Sequence, residues 1–204
     1  MGISFSPEYC YRILKPQEDV KWISEGRDSL EIGKFGYTSG LALEYKINEK
    51  LHIATGIYFT DGGERTKKYS IENVPYGQES IKYSYNNHYQ YLSVPLKINY
   101  FFIKKKFDFY LTGGLFFNVF LNEITVFTTH YAKNNNKVIE NTNSGFSKLN
   151  FGLIAGFGMN YQINPKSTFV IEPNYRRSIS SIVDAPVKSY LYSLGVNIGV
   201  LFKI

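Results

Sequence analysis

Apolar and polar residues alternate strictly along the last seventeen residues, "KSYLYSLGVNIGVLFKI" (188–204). One parity is wholly apolar from Tyr190 to Ile204, whereas the other carries serine, asparagine, glycine and lysine. A period of two residues is typical of a β-strand and excludes a helix. The stretch "KLNFGLIAGFGMNYQI" (148–163) has the same period. Both stretches therefore predict strands with one apolar and one polar face.

The same period predicts eight strands, over residues 2–14, 36–47, 51–60, 88–103, 107–122, 146–163, 167–182 and 188–204. Their connections alternate between short reversals, such as 48–50 and 164–166, and long polar segments at 15–35, 61–87 and 123–145. Only the connection near Asp184 departs from this alternation, because it is short. Turn residues at 75–77 and 134–136 predict hairpins that extend beyond the main strands. The pattern favours an antiparallel up-and-down barrel, whose closure leaves no sheet edge exposed.

The polar parity carries too many charges of both signs to fill a dry core: Glu8, Arg12, Glu44, Lys46, Lys97, Asp108, Glu172 and Arg176. The apolar parity of the later strands is almost uncharged and long enough to cover a hydrocarbon band of about 25 Å. We therefore predict a single all-β domain over 1–204, an eight-stranded antiparallel up-and-down transmembrane β-barrel with its polar face inward. Tyrosines near strand ends favour interfacial girdles. A soluble lipocalin-like ligand-binding barrel, with its tyrosines inside, stays open as the alternative.

The predicted interior is filled with side chains. The inward charges Glu8, Arg12, Lys97, Glu172 and Arg176 are expected to form one lumen charge network. Large inward rings are expected beside them, from Tyr58, Tyr110, Phe116 and Phe120. Eight strands enclose only enough space for side chains, so we expect no open channel. Three prolines inside strands, Pro7, Pro95 and Pro173, are expected to need β-bulges because they lack the N–H of the ladder.

Composition adds little that would favour a soluble enzyme or a nucleic-acid-binding protein. Aromatic residues make up 17% of the chain, together with 17 glycines, a pairing typical of tightly curved sheets. The single cysteine, Cys10, excludes an intrachain disulfide framework. The net charge of +6 is scattered, and the densest basic run, 104–106, is interpreted as a solvated turn. We therefore expect no nucleic-acid partner.

Several phrases resemble a known family. They are the turn phrases "YKIN" (45–48) and "YQIN" (161–164), the stretch "YLSVPLKINYFF" (91–102) and the ending "VLFKI" (200–204). Together with the eight-strand layout, they resemble the PorT-like outer-membrane β-barrels of Bacteroidota. The resemblance implies a bacterial outer-membrane location, with both termini and the short turns in the periplasm and the long loops outside the cell. Since "MGISFSPEYCYRIL" contains no recognisable signal peptide, we expect a mature domain from which that peptide has been removed.

Candidate chemistry in the sequence is sparse. No spacing of histidine, cysteine or acidic residues predicts a metal site, and no glycine-rich loop predicts a phosphate or cofactor site. A rim site made of Asp61, His88 and Asp184 is the enzymatic alternative, since a histidine with carboxylates can activate water. We expect instead a non-enzymatic protein that acts in binding or assembly, through an unidentified protein or ligand at its outward loops. Outer-membrane lipid, lipopolysaccharide and the barrel assembly machinery are the other expected partners, with Arg177 as a lipopolysaccharide contact.

Overall fold

The computed structural model describes residues 1–70, 81–103, 106–131 and 134–203, without the side chains of 20, 22–25 and 28. It contains one short helix, α1 (Lys21–Leu30), preceded by a 3₁₀ turn (Glu18–Val20). The strands are β1 (Gly2–Pro16), β2 (Glu31–Lys46), β3 (Leu51–Gly62), β4 (Glu64–Thr66), β5 (Tyr69–Ser70), β6 (Lys82–Ile103), β7 (Phe107–His130), β8 (Asn135–Thr142), β9 (Leu149–Asn164), β10 (Ser167–Ser178) and β11 (Val187–Phe202). No helix in the described ranges is long and apolar enough to cross a membrane.

Eight of these strands close into a ring in the order β1-β2-β3-β6-β7-β9-β10-β11, and β11 pairs with β1. Every pairing in the ring is antiparallel. Glu8, for example, lies opposite Gly36 on one side and Gly195 on the other. The predicted eight-stranded up-and-down barrel is confirmed.

Several strand bounds differ from those predicted by the alternation. Strand β2 begins at Glu31, β6 begins at Lys82 and β7 runs on to His130, because these strands continue beyond the barrel wall. The segment 15–35, expected to be a loop, instead holds α1 and the start of β2. In contrast, β9 begins only at Leu149 and β10 ends at Ser178. Beyond β10 the chain leaves the wall and places Ile182 in the barrel mouth, where none of its surface is exposed.

Three strands extend past the ring at its long-loop end. Strand β8 pairs only with the outer third of β7, from Glu123 to His130, so β6, β7 and β8 form a protruding sheet. The predicted hairpin in 123–145 is therefore confirmed, although β8 already begins at Asn135 and the turn comes slightly earlier than 134–136. The other predicted turn, at 75–77, lies outside the described residues.

The two faces of the wall differ as predicted. Outward positions are large and apolar and remain exposed, as in Leu41, Leu96, Leu111, Leu153 and Ile198. Inward positions are polar and buried, as in Ser6, Thr38, Asn99, Asn118 and Asn150. A barrel with an apolar exterior and a polar interior is the transmembrane arrangement and not that of a lipocalin. The soluble alternative is therefore wrong for this fold.

Glycines make room for the large rings inside the barrel. A Cβ on Gly158 would collide with the ring of Tyr110, and a Cβ on Gly152 would collide with the ring of Phe116. Both rings are buried, at 1% and 3% exposure. Phe120 packs at the mouth and Tyr58 is half-buried beside a lumen cavity. Gly152 and Gly158 thus leave space for two large rings in a narrow lumen.

The expectation that the three strand prolines require bulges is wrong. The register with the neighbouring strand is unbroken at all three prolines. Pro7 pairs with a residue of β2, Pro95 with one of β7 and Pro173 with one of β11. The register shifts lie elsewhere, at Gln90/Tyr91, at Phe101/Ile103 and at Ser167/Thr168. The missing N–H affects only one side of each strand, so the ladder on the other side holds the register.

Candidate functional site

Charged side chains inside the barrel form separate pairs at successive levels. At the level nearer the short turns, Lys97 Nζ donates to Glu172 Oε1 over 2.6 Å. The hydroxyl of Tyr110 donates to the other carboxylate oxygen of Glu172 over 2.9 Å. Only 1% of Glu172 is exposed. Alternation in β6 and β10 points both charged groups inward, and the ring closure brings them together across the lumen.

The next level holds Glu8 and Arg176. Arg176 Nη1 lies 3.4 Å from Glu8 Oε1, and Ser193 donates to the other oxygen of Glu8 over 2.7 Å. Arg176 also donates to the hydroxyls of Thr38 and Ser93, both over 3.0 Å, and stacks on the ring of Phe116. Four groups from different strands therefore hold this one guanidinium, which fixes it across the lumen.

Arg12 belongs to a third cluster and not with the other predicted lumen charges. Its Nε and Nη2 donate to the two oxygens of Glu31 over 2.8 and 2.5 Å, and Nη1 donates to Tyr89 over 2.9 Å. Glu64 lies 3.3 Å from Arg12 Nε and also accepts from Tyr89 and Asn87. The single predicted network is thus divided, because Arg12 lies four residues beyond Glu8 along β1, nearer the long-loop end.

Sequence reasoning missed Glu31 and Glu64 because both were assigned to loops. Each lies just beyond a predicted strand end, where β2 and β4 continue the wall. Gly63, at φ 137°, makes the bend that separates β4 from β3. Burial raises the pKa of the Glu64 carboxyl, while the opposing charge of Arg12 lowers it. The segment "EIGKFG" (31–36) has no two-residue alternation that would have predicted this strand extension.

An apolar cluster closes the barrel mouth beside the Arg12 cluster. Tyr89 and Tyr91, each 1% exposed, pack with Ile182, and Phe120 and Phe146 lie against them. Below this cluster, a cavity of about 370 Å³ opens at the short-turn end beside His52 and Lys166, whereas the middle of the lumen holds small separate cavities of about 30–40 Å³ each. Each of these has room for one or a few water molecules but not for an ion path.

The predicted rim site is only partly assembled. His88 Nδ1 donates to Asp61 Oδ1 over 2.8 Å, and Lys34 Nζ lies 3.9 Å from the same oxygen. Asn86 donates to the other ring nitrogen of His88 over 3.1 Å. Asp184 is absent from the group, because its side chain is 91% exposed and pairs with Lys188 over 3.0 Å. Asp61 and His88 therefore meet, and Asp184 does not join them.

A larger cavity lies above the Arg12 cluster, between α1 and the protruding sheet. We call it the cup; its volume is about 380 Å³ and its lining consists of Arg12, Arg27, Leu30, Glu31, Thr66, Tyr69, Tyr85 and Asn87. Arg12 and Glu31 are buried at its base, whereas Arg27 is exposed. Burial and the neighbouring phenol of Tyr85 raise the pKa of Tyr69, so that its hydroxyl stays protonated. Sequence reasoning missed the cup because its lining comes from six separate elements.

Arg177 faces outward and is exposed, as its parity predicted. It lies opposite Tyr192 on β11 and Leu153 on β9. The rings of Tyr175 and Tyr192 contact each other nearby, 6.4 Å apart, and Tyr192 also contacts Tyr11. Arg177 therefore lies within an outward belt of tyrosines near the long-loop end.

No group of three or more histidine, cysteine or acidic side chains in the described ranges is arranged to hold a metal ion. The lumen carboxylates are instead engaged by arginine, lysine and hydroxyl groups. The arrangement as a whole is a barrel with a filled middle, a polar cavity of about 380 Å³ at its long-loop end and one of about 370 Å³ at its short-turn end.

Among solved structures, the chain is similar to Neisserial surface protein A (14% identity, 98% of this chain and 97% of that chain covered, TM-score 0.44). It is also similar to Ail of Yersinia pestis (15% identity, 97% of each chain covered, TM-score 0.36). The outer membrane protease OmpT of Escherichia coli is a third (10% identity, 99% and 79% covered, TM-score 0.45). No curated protein matches the chain.

A family model described as "Outer membrane protein beta-barrel domain" matches residues 14–184. The match runs from the end of β1 to a point before β11, and it includes the other six ring strands and the protruding sheet described above. Together with the apolar exterior, it assigns the protein to the bacterial outer membrane, with the long loops outside the cell. The chain belongs to the outer-membrane protein β-barrel family.

Proposed function

We propose that this barrel is a non-enzymatic binding or assembly protein, which acts through its extracellular segments while its lumen stays filled. The observation that carries the proposal is the filled middle of the lumen, which separates the cup at the extracellular end from a cavity of about 370 Å³ at the short-turn end. The charges in this middle part are paired and its cavities are of water size, whereas the cup is about ten times larger than these cavities. An outer-membrane protein with this interior acts at its surface and not by transport.

The filled lumen supports this proposal because an ion would have to break several contacts in turn. It would first meet the Lys97–Glu172 pair, then Arg176 held by Glu8, and finally the apolar cluster around Ile182. Breaking a buried ion pair leaves an uncompensated charge, at a cost of about 3–5 kcal/mol. Passage without rearrangement of the interior is therefore disfavoured.

A rim enzyme is the second candidate, and the contact of His88 with Asp61 is the observation that favours it. A general base needs a free nitrogen directed at the substrate. Both ring nitrogens of His88 are already hydrogen-bonded, one to Asp61 and the other to Asn86. Without Asp184 the site also lacks its second carboxylate. These contacts favour a structural role for His88.

Within the outer-membrane barrel family, we place the chain among the PorT-like barrels of Bacteroidota. The support is the pair of turn phrases, in which Tyr45 and Tyr161 each precede an isoleucine and a turn-forming asparagine. In both turns the asparagine side chain accepts from backbone N–H groups, Asn48 from Lys50 and Leu51, and Asn164 from Lys166. Lipopolysaccharide, outer-membrane lipid and the barrel assembly machinery are the partners that this placement proposes.

Binding by intact cells tests the proposal. A laboratory bacterium displaying the protein is incubated with a panel of soluble polysaccharides, peptides and extracellular proteins, before and after external protease treatment. We expect at least one ligand to bind, and its binding to be lost when the extracellular segments are removed.

Two variants serve as controls in the same assay. The lumen variant Glu172→Gln and the rim variant His88→Ala should both keep the binding. Absence of any binding, or a hydrolytic turnover that His88→Ala abolishes, would contradict the proposal and favour the enzyme.

A further inference from the structure

The cup presents an aromatic platform on one of its sides. Tyr69 and Tyr85 lie nearly parallel, with an interplanar angle of 15° and ring centroids 6.2 Å apart. Tyr83 and Phe127 extend the same patch, since Phe127 lies 4.9 Å from Tyr85 and 5.7 Å from Tyr83. Side chains at alternate positions of β6 and at paired positions of β7 share one face of the sheet. The patch is thus a continuous apolar surface beside a polar cavity.

The charge of the cup favours an anion. Its charged lining residues are two arginines, Arg12 and Arg27, and one acid, Glu31. Arg12 makes a bidentate contact with Glu31 and lies 3.3 Å from the buried Glu64, so its charge is taken up at the base of the cup. Arg27 is exposed and has no ion-pair partner among the described side chains, so it is the cation that the lining presents to a ligand. Lys67 adds a second cation beside the cup, because its Nζ lies 3.3 Å from the carbonyl of Ser29 at the end of α1.

Hydrogen-bonding groups surround the platform. Arg12 has five N–H groups, and its described hydrogen bonds to Glu31 and Tyr89 use three of them. The hydroxyl of Thr66 accepts from the backbone of Tyr85 and still has its own proton to donate. Arg27 is exposed on α1 and brings a guanidinium to the cup. The cup therefore offers donors around a flat apolar patch.

We propose that the cup binds an acidic saccharide, with one face of a sugar ring on the Tyr69–Tyr85 platform and the acid group on Arg27. This rests on the proposed function that the extracellular segments bind ligands. A pyranose matches the site because its C–H groups form an apolar face while its hydroxyls lie around the ring edge. The C–H groups meet the electron-rich faces of the tyrosine rings. The volume of about 380 Å³ lies in the range of small-molecule sites.

The platform geometry argues against a flat aromatic ligand held between the rings. A planar molecule inserted between two rings needs a separation of about 7 Å, twice the contact distance of about 3.5 Å. Tyr69 and Tyr85 lie closer than this and contact each other instead. They form a one-sided surface, which is how a sugar ring with polar edges is best accommodated.

Calorimetry with the full chain in phosphatidylcholine nanodiscs tests the proposal. The probe is a hyaluronan tetrasaccharide, in which glucuronate alternates with N-acetylglucosamine, and its neutral match is the tetramer of N-acetylglucosamine. We expect the acidic probe to bind more tightly than the neutral one, and its binding to weaken as salt is raised. Tyr69→Ala should raise the Kd about three- to tenfold through loss of stacking. Arg27→Gln should raise it about tenfold and reduce the salt dependence.

Two neighbouring residues supply matched controls. Arg65→Gln removes an exposed arginine next to Thr66 that does not line the cup, and Tyr131→Ala removes an exposed tyrosine at the tip of the protruding sheet. Both variants should bind the acidic probe as the wild type does. Equal binding of the two tetrasaccharides, or unchanged binding by Tyr69→Ala and Arg27→Gln, would overturn the proposal.

A second arm identifies the source of the saccharide. Lipopolysaccharide is added to the nanodiscs, and a loss of affinity for the soluble probe indicates that acidic sugars of the same membrane occupy the cup. Unchanged affinity indicates a saccharide from outside the cell, and both results support the acidic-saccharide site. Should neither tetrasaccharide bind at millimolar concentration while the cell-binding panel still reveals a protease-sensitive ligand, this inference fails and the proposed function stands.

Discussion

Replacing Glu172 with glutamine should destabilise the barrel more than any surface charge change. The substitution keeps the shape of the side chain but leaves Lys97 inside the lumen without its counter-ion, 2.6 Å away in the wild type. At that distance the attraction amounts to about 6 kcal/mol for an effective dielectric of about 20. Loss of one partner of a buried pair costs about 3–5 kcal/mol. Since both residues also line cavities of about 30–40 Å³ that admit water, we expect a loss of about 3 kcal/mol, at the lower end of that range.

Urea unfolding in lipid vesicles, followed by heat-modifiable gel migration, measures this loss. The double variant Glu172→Gln/Lys97→Met removes both charges and should return to within about 1 kcal/mol of the wild type, because no buried charge is left unpaired. Asp184→Asn breaks the exposed pair with Lys188 and should change stability by no more than about 0.5 kcal/mol. A single Glu172→Gln variant as stable as the wild type, or a double variant less stable than the single one, would refute this account of the lumen.

Three further predictions concern the membrane setting. Because the outward face carries exposed leucine, isoleucine and phenylalanine, the refolded protein should need detergent or lipid and should migrate differently on a gel before and after heating; a concentrated monomer in plain buffer would contradict this. Protease added to intact cells should cut within 61–87 or 123–145 and spare the turn at 104–106, whereas cleavage only after permeabilisation would reverse the topology. Arg177→Ala should weaken lipopolysaccharide binding, because it removes a charge-assisted contact to lipid phosphate, and unchanged binding would eliminate this contact.

The barrel itself was predictable from the sequence because a period of two residues fixes which side chains face lipid. Leu153 and Ile198, for example, could be placed outward from parity alone, and both are exposed. The inward direction of Glu8 and Arg176 followed from the same parity. The strand ends were less predictable, since β2 and β7 continue beyond the hydrocarbon band. Both faces of a strand can carry polar residues there, because both can contact water, and the alternation is lost.

The partners of the charges were not predictable from the strand pattern. Arg12 was grouped with Glu8, but strand stagger places it instead against Glu31 and Glu64, which come from segments with no apolar alternation of their own. The contact of Asp61 with His88 depends on the register between β3 and β6. That register is set by closure of the barrel and could not be read from the strand pattern. The cup could not be predicted because α1 forms part of its lining. This helix is too short and too polar for its packing to be predicted from periodicity.

Planar-bilayer recording of the wild-type protein tests the central claim most directly, which is that the lumen is filled and the barrel acts at its extracellular surface. With paired charges at three levels and Ile182 packed into the mouth, the account predicts no stable ion-conducting steps. Reproducible, ion-selective steps that change on substitution of Lys97 or Glu172 would contradict it and would place the functional site in the lumen.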